Sequence, residues 1–240
     1  HIWGLIDITF PRLGFIKGNK LYRFLKKHLG DKTFYDVKLP LKIIASNVRK
    51  KEPKILDKGP LVDAIMASCS MPGVFAPFIL SRRRELNESG IGQDAGKEEA
   101  LFDGGVTYPL PTEPLMQMGI KKIIAVNVTP SREDILRQLK KLKEGAPVEF
   151  IGQPQKASRP GLFGRLKNLF SFNIVDIIFS SVEVLQSEVA RKEGELADIV
   201  LHPDTTGLFW LELHKADEFA KRGEIEARKH LDQIWQLVNE

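Results

Sequence analysis

A near-continuous apolar run, Lys122-Ile123-Ile124-Ala125-Val126-Asn127-Val128, does most to limit what this chain can become. A strand alternates its side chains between two faces, so an unbroken apolar run asks for cover on both. That is the pattern of a parallel sheet with helices on either side. The rest of the sequence supplies such parts. Leu39-Pro40-Leu41-Lys42-Ile43-Ile44-Ala45, Leu101-Phe102 and Ala197-Asp198-Ile199-Val200-Leu201 read as strands, and Val74–Leu80 as a further apolar segment. Asn19–Leu29 carries Leu21, Phe24, Leu25 and His28 on one face, with Asn19 as N-cap and Gly30 as stop, and predicts a helix. Leu61–Ser68 predicts a short buried helix, entered through Gly59-Pro60 and broken by Met71-Pro72-Gly73. Thr112–Met118, Arg132–Lys143, Asn173–Arg191 and Lys215–Asn239 predict four more, the last interrupted at Gly223. Strands alternating with helices predict an α/β fold, in three α/β/α layers around a mostly parallel central sheet.

With 240 residues, 42% of them hydrophobic, the chain can bury one sizeable core. Residues 1–130 are expected to form one part of a catalytic domain. Residues 131–240 are expected to add a helical and basic excursion, a late strand and C-terminal helices to the same domain. No apolar run approaches the ~18 residues that span a bilayer. Cys69 is the single cysteine, which excludes an internal disulfide and points to a reducing compartment. The expected location is the cytoplasm or the periphery of a membrane. The chain opens with His1 and runs straight into Ile2-Trp3-Gly4-Leu5-Ile6, which reads as mid-domain sequence. The formal charge is +5, and between Ser131 and Phe170 nine basic side chains meet only Glu133, Asp134, Glu144 and Glu149. A cationic face of that kind suits an anionic membrane or nucleic acid, and the plain alternative is a solvated helix face. The expected contact is with an anionic membrane and not with nucleic acid.

Chemistry concentrates at Leu101-Phe102-Asp103-Gly104-Gly105-Val106. A buried strand runs into one acid, and two glycines follow, so a rigid turn presents a single carboxylate. Such an acid stands at the carboxyl end of a strand, where ligands of open α/β sheets bind. An ordinary Asp-Gly turn is the competing reading. Elsewhere the candidates are thin. His202 and Asp204 offer two ligand types without partners, and His1, His214 and His230 form no constellation. Cys69 reads as a buried packing residue, and Val74, Phe75, Phe78 and Tyr108 read as core that could also wall an acyl site.

Several segments together resemble a known family. They are Gly59-Pro60-Leu61-Val62-Asp63-Ala64, Ala67-Ser68-Cys69-Ser70-Met71-Pro72-Gly73-Val74-Phe75-Ala76-Pro77, the Asp103-Gly104-Gly105 segment with Pro109-Leu110-Pro111, and Gly119 through Val128. In this order they resemble the C-terminal part of a bacterial patatin-like phospholipase domain. Ile6-Asp7-Ile8-Thr9, Gly14-Phe15 and Gly18 add to it, and Phe209-Trp210-Leu211-Glu212 through Gly223-Glu224 resembles the family's tail. The resemblance implies a patatin-like fold and a lipid acyl hydrolase that uses a Ser–Asp dyad, with Asp103 as the base and Gly104 and Gly105 as supporting positions. It implies no metal and no cofactor. Two family elements have no match here: no Gly-x-Ser-x-Gly elbow and no Gly-Gly-Gly oxyanion stretch occur in the 240 residues. They are expected upstream of His1, and the chain alone is expected to be inactive and poorly soluble or oligomeric. One alternative is a Ser-His-Asp α/β-hydrolase that recruits His202. Another is a non-catalytic membrane-binding remnant that uses Arg132–Lys167 with Phe163, Leu166, Leu169 and Phe170.

Overall fold

The computed structural model describes residues 7, 14–81, 98–131, 174–205 and 215–239. They fall into two compact units, His1–Tyr108 and Pro109–Glu240. The class is mixed α/β, as the alternation of segments predicts.

The first unit is built on a four-stranded sheet. Its strands are β2 (Ile43–Asn47), β3 (Glu52–Leu56), β5 (Phe78–Ser81) and β6 (Glu98–Asp103), ordered β3-β2-β6-β5. All three of its ladders are antiparallel. A separate parallel pair joins β1 (Gly14–Ile16) to β4 (Gly73–Phe75). The Val74–Leu80 segment is therefore two strands in two sheets. β3 gave no strand signal because Pro53 and charged neighbours interrupt it. Its place at the sheet edge explains the tolerance, since a proline lacks the N–H that a central ladder needs.

Helix α1 spans Asn19–Leu29 and α2 spans Leu61–Cys69. The small side chains of α2 set its packing. Ala64 and Ala67, one turn apart, join Phe34, Ala45, Leu56, Leu61 and Leu101 in one buried cluster, so helix and sheet approach closely. Leu101, in the middle of β6, is 0% exposed. Tyr22 fastens α1 to this core. Its hydroxyl donates to Asp63 Oδ1 at 3.1 Å, and its ring lies 6.5 Å from that of Phe78.

Asn19 is the first helical residue of α1 and not its cap. The N-cap is Gly18, in the left-handed region at φ 83°, where only glycine is unstrained. Having no side chain, it cannot cap. Asp7 does so from a distance: its Oδ1 accepts the N–H of Gly18 at 2.8 Å and its Oδ2 that of Asn19 at 2.9 Å.

The second unit holds a parallel ladder between β7 (Ile124–Val126) and β8 (Ile199–Leu201). Its helices are α3 (Glu113–Gln117), α4 (Ile174–Gly194), α5 (Ala216–Lys229) and α6 (Leu231–Asn239). Leu110, Ala125 and Ala190 form its buried cluster, with Ala197 and Val200 against it. Acids fasten the loops. Glu193 accepts the Leu110 N–H at 2.7 Å, Asp198 accepts the Ile123 N–H at 2.7 Å, and Glu226 accepts the His202 N–H at 3.3 Å. The apolar run that predicts a strand buried on both faces is covered on one only. Ala125 is buried, while Ile124 and Val126 are 40% and 51% exposed. The C-terminal helix breaks at His230 and not at Gly223, which sits inside α5. The basic excursion, including the expected Arg132–Lys143 helix and Phe163–Phe170, lies outside the described residues.

Replacing Asp7 with Ala removes both acceptors from the start of α1. The expected cost is about 1 kcal/mol, the usual worth of a lost N-cap. It is read as a lower urea midpoint with an unchanged slope; an unchanged midpoint would show that the cap contributes nothing.

Candidate active site around Asp103

Asp103 ends β6 and caps the 3₁₀ turn Gly104–Val106. Three hydrogen bonds fix it from three elements. Its N–H donates to the Ser70 carbonyl, just past α2, at 2.9 Å. Its carbonyl accepts the Ser46 hydroxyl, from β2, at 2.7 Å. Its carboxylate Oδ1 accepts the Gly105 N–H at 2.8 Å. Ser46 Oγ also lies 2.8 Å from Thr107 Oγ1, so the hydroxyl pair closes the turn on itself. Ser46 and Ser70 are both buried, 3% and 2% exposed. Ser70 is held in turn by its own hydroxyl, which donates to the Met66 carbonyl at 2.7 Å.

The glycine after the acid has a steric reason. A Cβ on Gly104 would stand 2.3 Å from the Ile44 carbonyl oxygen, so the turn packs against β2 with no space for a side chain. This is backbone against backbone, where neither side can give way.

The carboxylate has two unlike oxygens. Oδ1 is tied to Gly105, while Oδ2 accepts no hydrogen bond among the described residues. Burial pushes the Asp103 carboxyl above its ordinary value, and the Gly105 N–H opposes that only in part. A half-buried carboxylate with a raised pKa and one open oxygen is a competent proton acceptor.

Cys69 stands beside this acid, and it is exposed, not buried as its sequence surroundings predict. Helical spacing is the reason: two residues beyond Ala67, it points away from the face that meets the sheet. The protein crowded around the thiol, and after it the Asp103 charge, push its pKa up. The thiol therefore stays protonated and is a poor nucleophile. His202 lies in the other unit, just after β8, and its ring is not drawn into any hydrogen bond among the described residues. No group of three or more His, Cys, Asp or Glu side chains could hold a metal among the described residues. No helix there is long and apolar enough to cross a membrane.

The sequence reading missed Ser46, Ser70 and Thr107. A buried serine in an apolar strand, in Ile44-Ala45-Ser46, is a signal for a hydroxyl with a backbone partner, though not for which one.

The α/β scaffold thus holds one fixed, half-buried carboxylate at a strand end. Residues 1–116 match the family model described as patatin-like phospholipase, a segment that includes Asp103, Gly104 and Gly105. Among curated proteins, uncharacterized NTE family proteins of Mycobacterium bovis and Mycobacterium tuberculosis are each 25% identical over 127 residues. The alignment covers 53% of this chain and 31% of each relative, so the chain spans about a third of the length of the relatives it matches.

Two substitutions separate the acid's chemical role from its structural one. Asp103→Asn keeps an acceptor for Gly105 and removes the desolvated charge. Because the folded pKa lies above the unfolded one, the native state holds its proton more tightly, and stability declines as pH rises through the folded value. Asp103→Asn is therefore expected to melt at or above the wild-type temperature near neutral pH. The difference should vanish as pH falls below the ordinary carboxylate range. A clearly lower melting temperature at neutral pH would mean that the charge stabilises the fold. Gly104→Ala, by contrast, forces the turn off Ile44 and is expected to cost roughly 1–3 kcal/mol in a denaturation experiment.

Proposed function

We propose that this chain carries the general base of a lipid acyl hydrolase, and that Asp103 is that base in a Ser–Asp dyad. The observation that carries the reading is the carboxylate itself: one oxygen held by Gly105, the other open among the described residues, on a backbone pinned by Ser46 and Ser70. The match of residues 1–116 to the patatin-like phospholipase model supports the substrate class, an ester of a fatty acid. No Gly-x-Ser-x-Gly lies within the 240 residues, so this reading needs a serine from outside them.

In that mechanism the serine hydroxyl gives its proton to Asp103 Oδ2 as its oxygen attacks the ester carbonyl carbon. The carbon–oxygen bond to the alcohol breaks, and the alcohol leaves with the proton from Asp103. Water then loses a proton to the same carboxylate and attacks the acyl-serine; the bond to the serine oxygen breaks, the fatty acid leaves, and Asp103 returns the proton to the serine oxygen. Direct transfer without histidine requires the two groups at about 2.6–3.2 Å.

Hydrolysis of a short-chain p-nitrophenyl ester by the protein that includes its serine elbow tests this. Asp103→Asn is expected to lower kcat by roughly 10²–10⁴-fold, the usual contribution of a positioned base. His202→Ala is expected to leave kcat unchanged. Substantial activity in Asp103→Asn would overturn the dyad, and a comparable loss in His202→Ala would favour a triad. The 240-residue chain alone is expected to be oligomeric on size exclusion and without turnover; a monomer that hydrolyses the ester would refute the missing-serine reading.

A further inference from the structure

We propose that the outer face of α1, with the connection that follows it, is a docking surface for an anionic lipid membrane. From Lys17 to Lys42 eight lysines and arginines accompany only two acids, Asp31 and Asp36, so this stretch holds more positive charge than the chain's whole formal excess of +5. Helix α1 contains no acid. Both acids of the stretch are engaged: Asp31 pairs with Lys26, and Asp36 accepts the N–H and hydroxyl of Thr33 in a capping box.

Tyr22 marks the inner side of α1, through Asp63 and Phe78. At 3.6 residues per turn, Arg23, Phe24 and Lys27 then face outward, and all three are exposed. Arg23, Lys27 and Lys38 make no ion pair among the described residues.

Apolar side chains stand out of the same stretch. Tyr35 is 86% exposed and Leu39 77%. This exposure is held in place, since the neighbouring Phe34 is buried in the core and the capping box fixes the turn around Tyr35. An isolated exposed apolar residue calls for no explanation. Here, however, Tyr35 and Leu39 alternate with Lys32, Lys38 and Lys42, within one short connection. An anionic bilayer answers both features at once: lipid phosphates take the cations, and the interfacial layer takes the aromatic and aliphatic tips. Nucleic acid would meet the charges and leave Leu39 in water.

The choice of a lipid partner rests on the proposed hydrolysis of lipid esters, whereas the charge and the exposure stand apart from it. The test is flotation of the protein that includes its serine elbow with vesicles of phosphatidylcholine, alone or mixed with phosphatidylglycerol. Wild type is expected to float only with the anionic vesicles, and to be released by salt. Arg23→Glu with Lys27→Glu is expected to weaken binding by at least ~25-fold, at roughly fivefold per basic residue near an anionic surface. Tyr35→Ser with Leu39→Ser is expected to weaken it as well, while the salt dependence persists. Arg23→Lys with Lys27→Arg is expected to bind as wild type does and guards against misfolding. Equal flotation with neutral vesicles, undiminished binding by the glutamate pair, or indifference to the serine pair would each overturn the proposal. The last outcome would indicate a purely electrostatic partner. Hydrolysis of a soluble ester by the protein that includes its serine elbow is measured separately. Its absence, with vesicle binding intact, would sink the hydrolase reading and leave this one standing.

Discussion

Everything at the candidate site depends on the contact between the Asp103–Gly104 backbone and strand β2. Ser46 reaches across the ladder to the Asp103 carbonyl, and Gly104 lies so close to Ile44 that no side chain fits between them. The Asp103 N–H, meanwhile, is given to Ser70 at the end of α2. One residue thus joins the centre of the sheet to the helix packed on it. A carboxylate held this way does not drift, which suits the proposed base, since small misplacements of a reacting group can cost ~100-fold in rate. The buried hydroxyls of Ser46 and Ser70 are consistent with the rule that buried polar groups are retained when fully bonded. Each has a short, good partner, so the polar groups fix the turn without burying an unmet donor.

Much of this was legible in the sequence, and the parts that were not share a cause. Helices α1 and α2 fall where apolar spacing, Pro60 and Gly30 place them, because those signals are local. The strand-end position of Asp103 was legible for the same reason: an apolar pair, an acid and two glycines leave few other conformations. What escaped was pairing between distant residues. Nothing near Gly18 says that Asp7 will cap α1, and nothing near Pro53 says that its strand lies at an edge. The run at Lys122–Val128 reads as doubly buried on composition alone, yet Ile124 and Val126 are exposed in their own unit. An apolar residue reports a need for cover, not what supplies it. Cys69 failed by a single angular step, because its small neighbours Ala64 and Ala67 face the sheet while it faces outward.

The electrostatics of the site follow from the same packing. Burial alone raises the carboxyl of Asp103, and a fully bonded carboxylate would have been pulled back down by its donors. Among the described residues only one donor, Gly105, points at it. The result is an acid that is costly to keep charged, since neither a counter-ion nor a second N–H relieves it among the described residues. Part of that cost has a structural return, because Oδ1 caps the turn through the Gly105 N–H. Oδ2 has no such return among the described residues, and a rigidly held carboxylate with one open oxygen is what the proposed proton transfer asks for. The neighbouring thiol makes the same point from the other side. Cys69 is close enough to feel the Asp103 charge, and that charge disfavours its thiolate. The environment therefore suppresses the thiolate, and the proposed proton acceptor at Asp103 has no second anion beside it from Cys69.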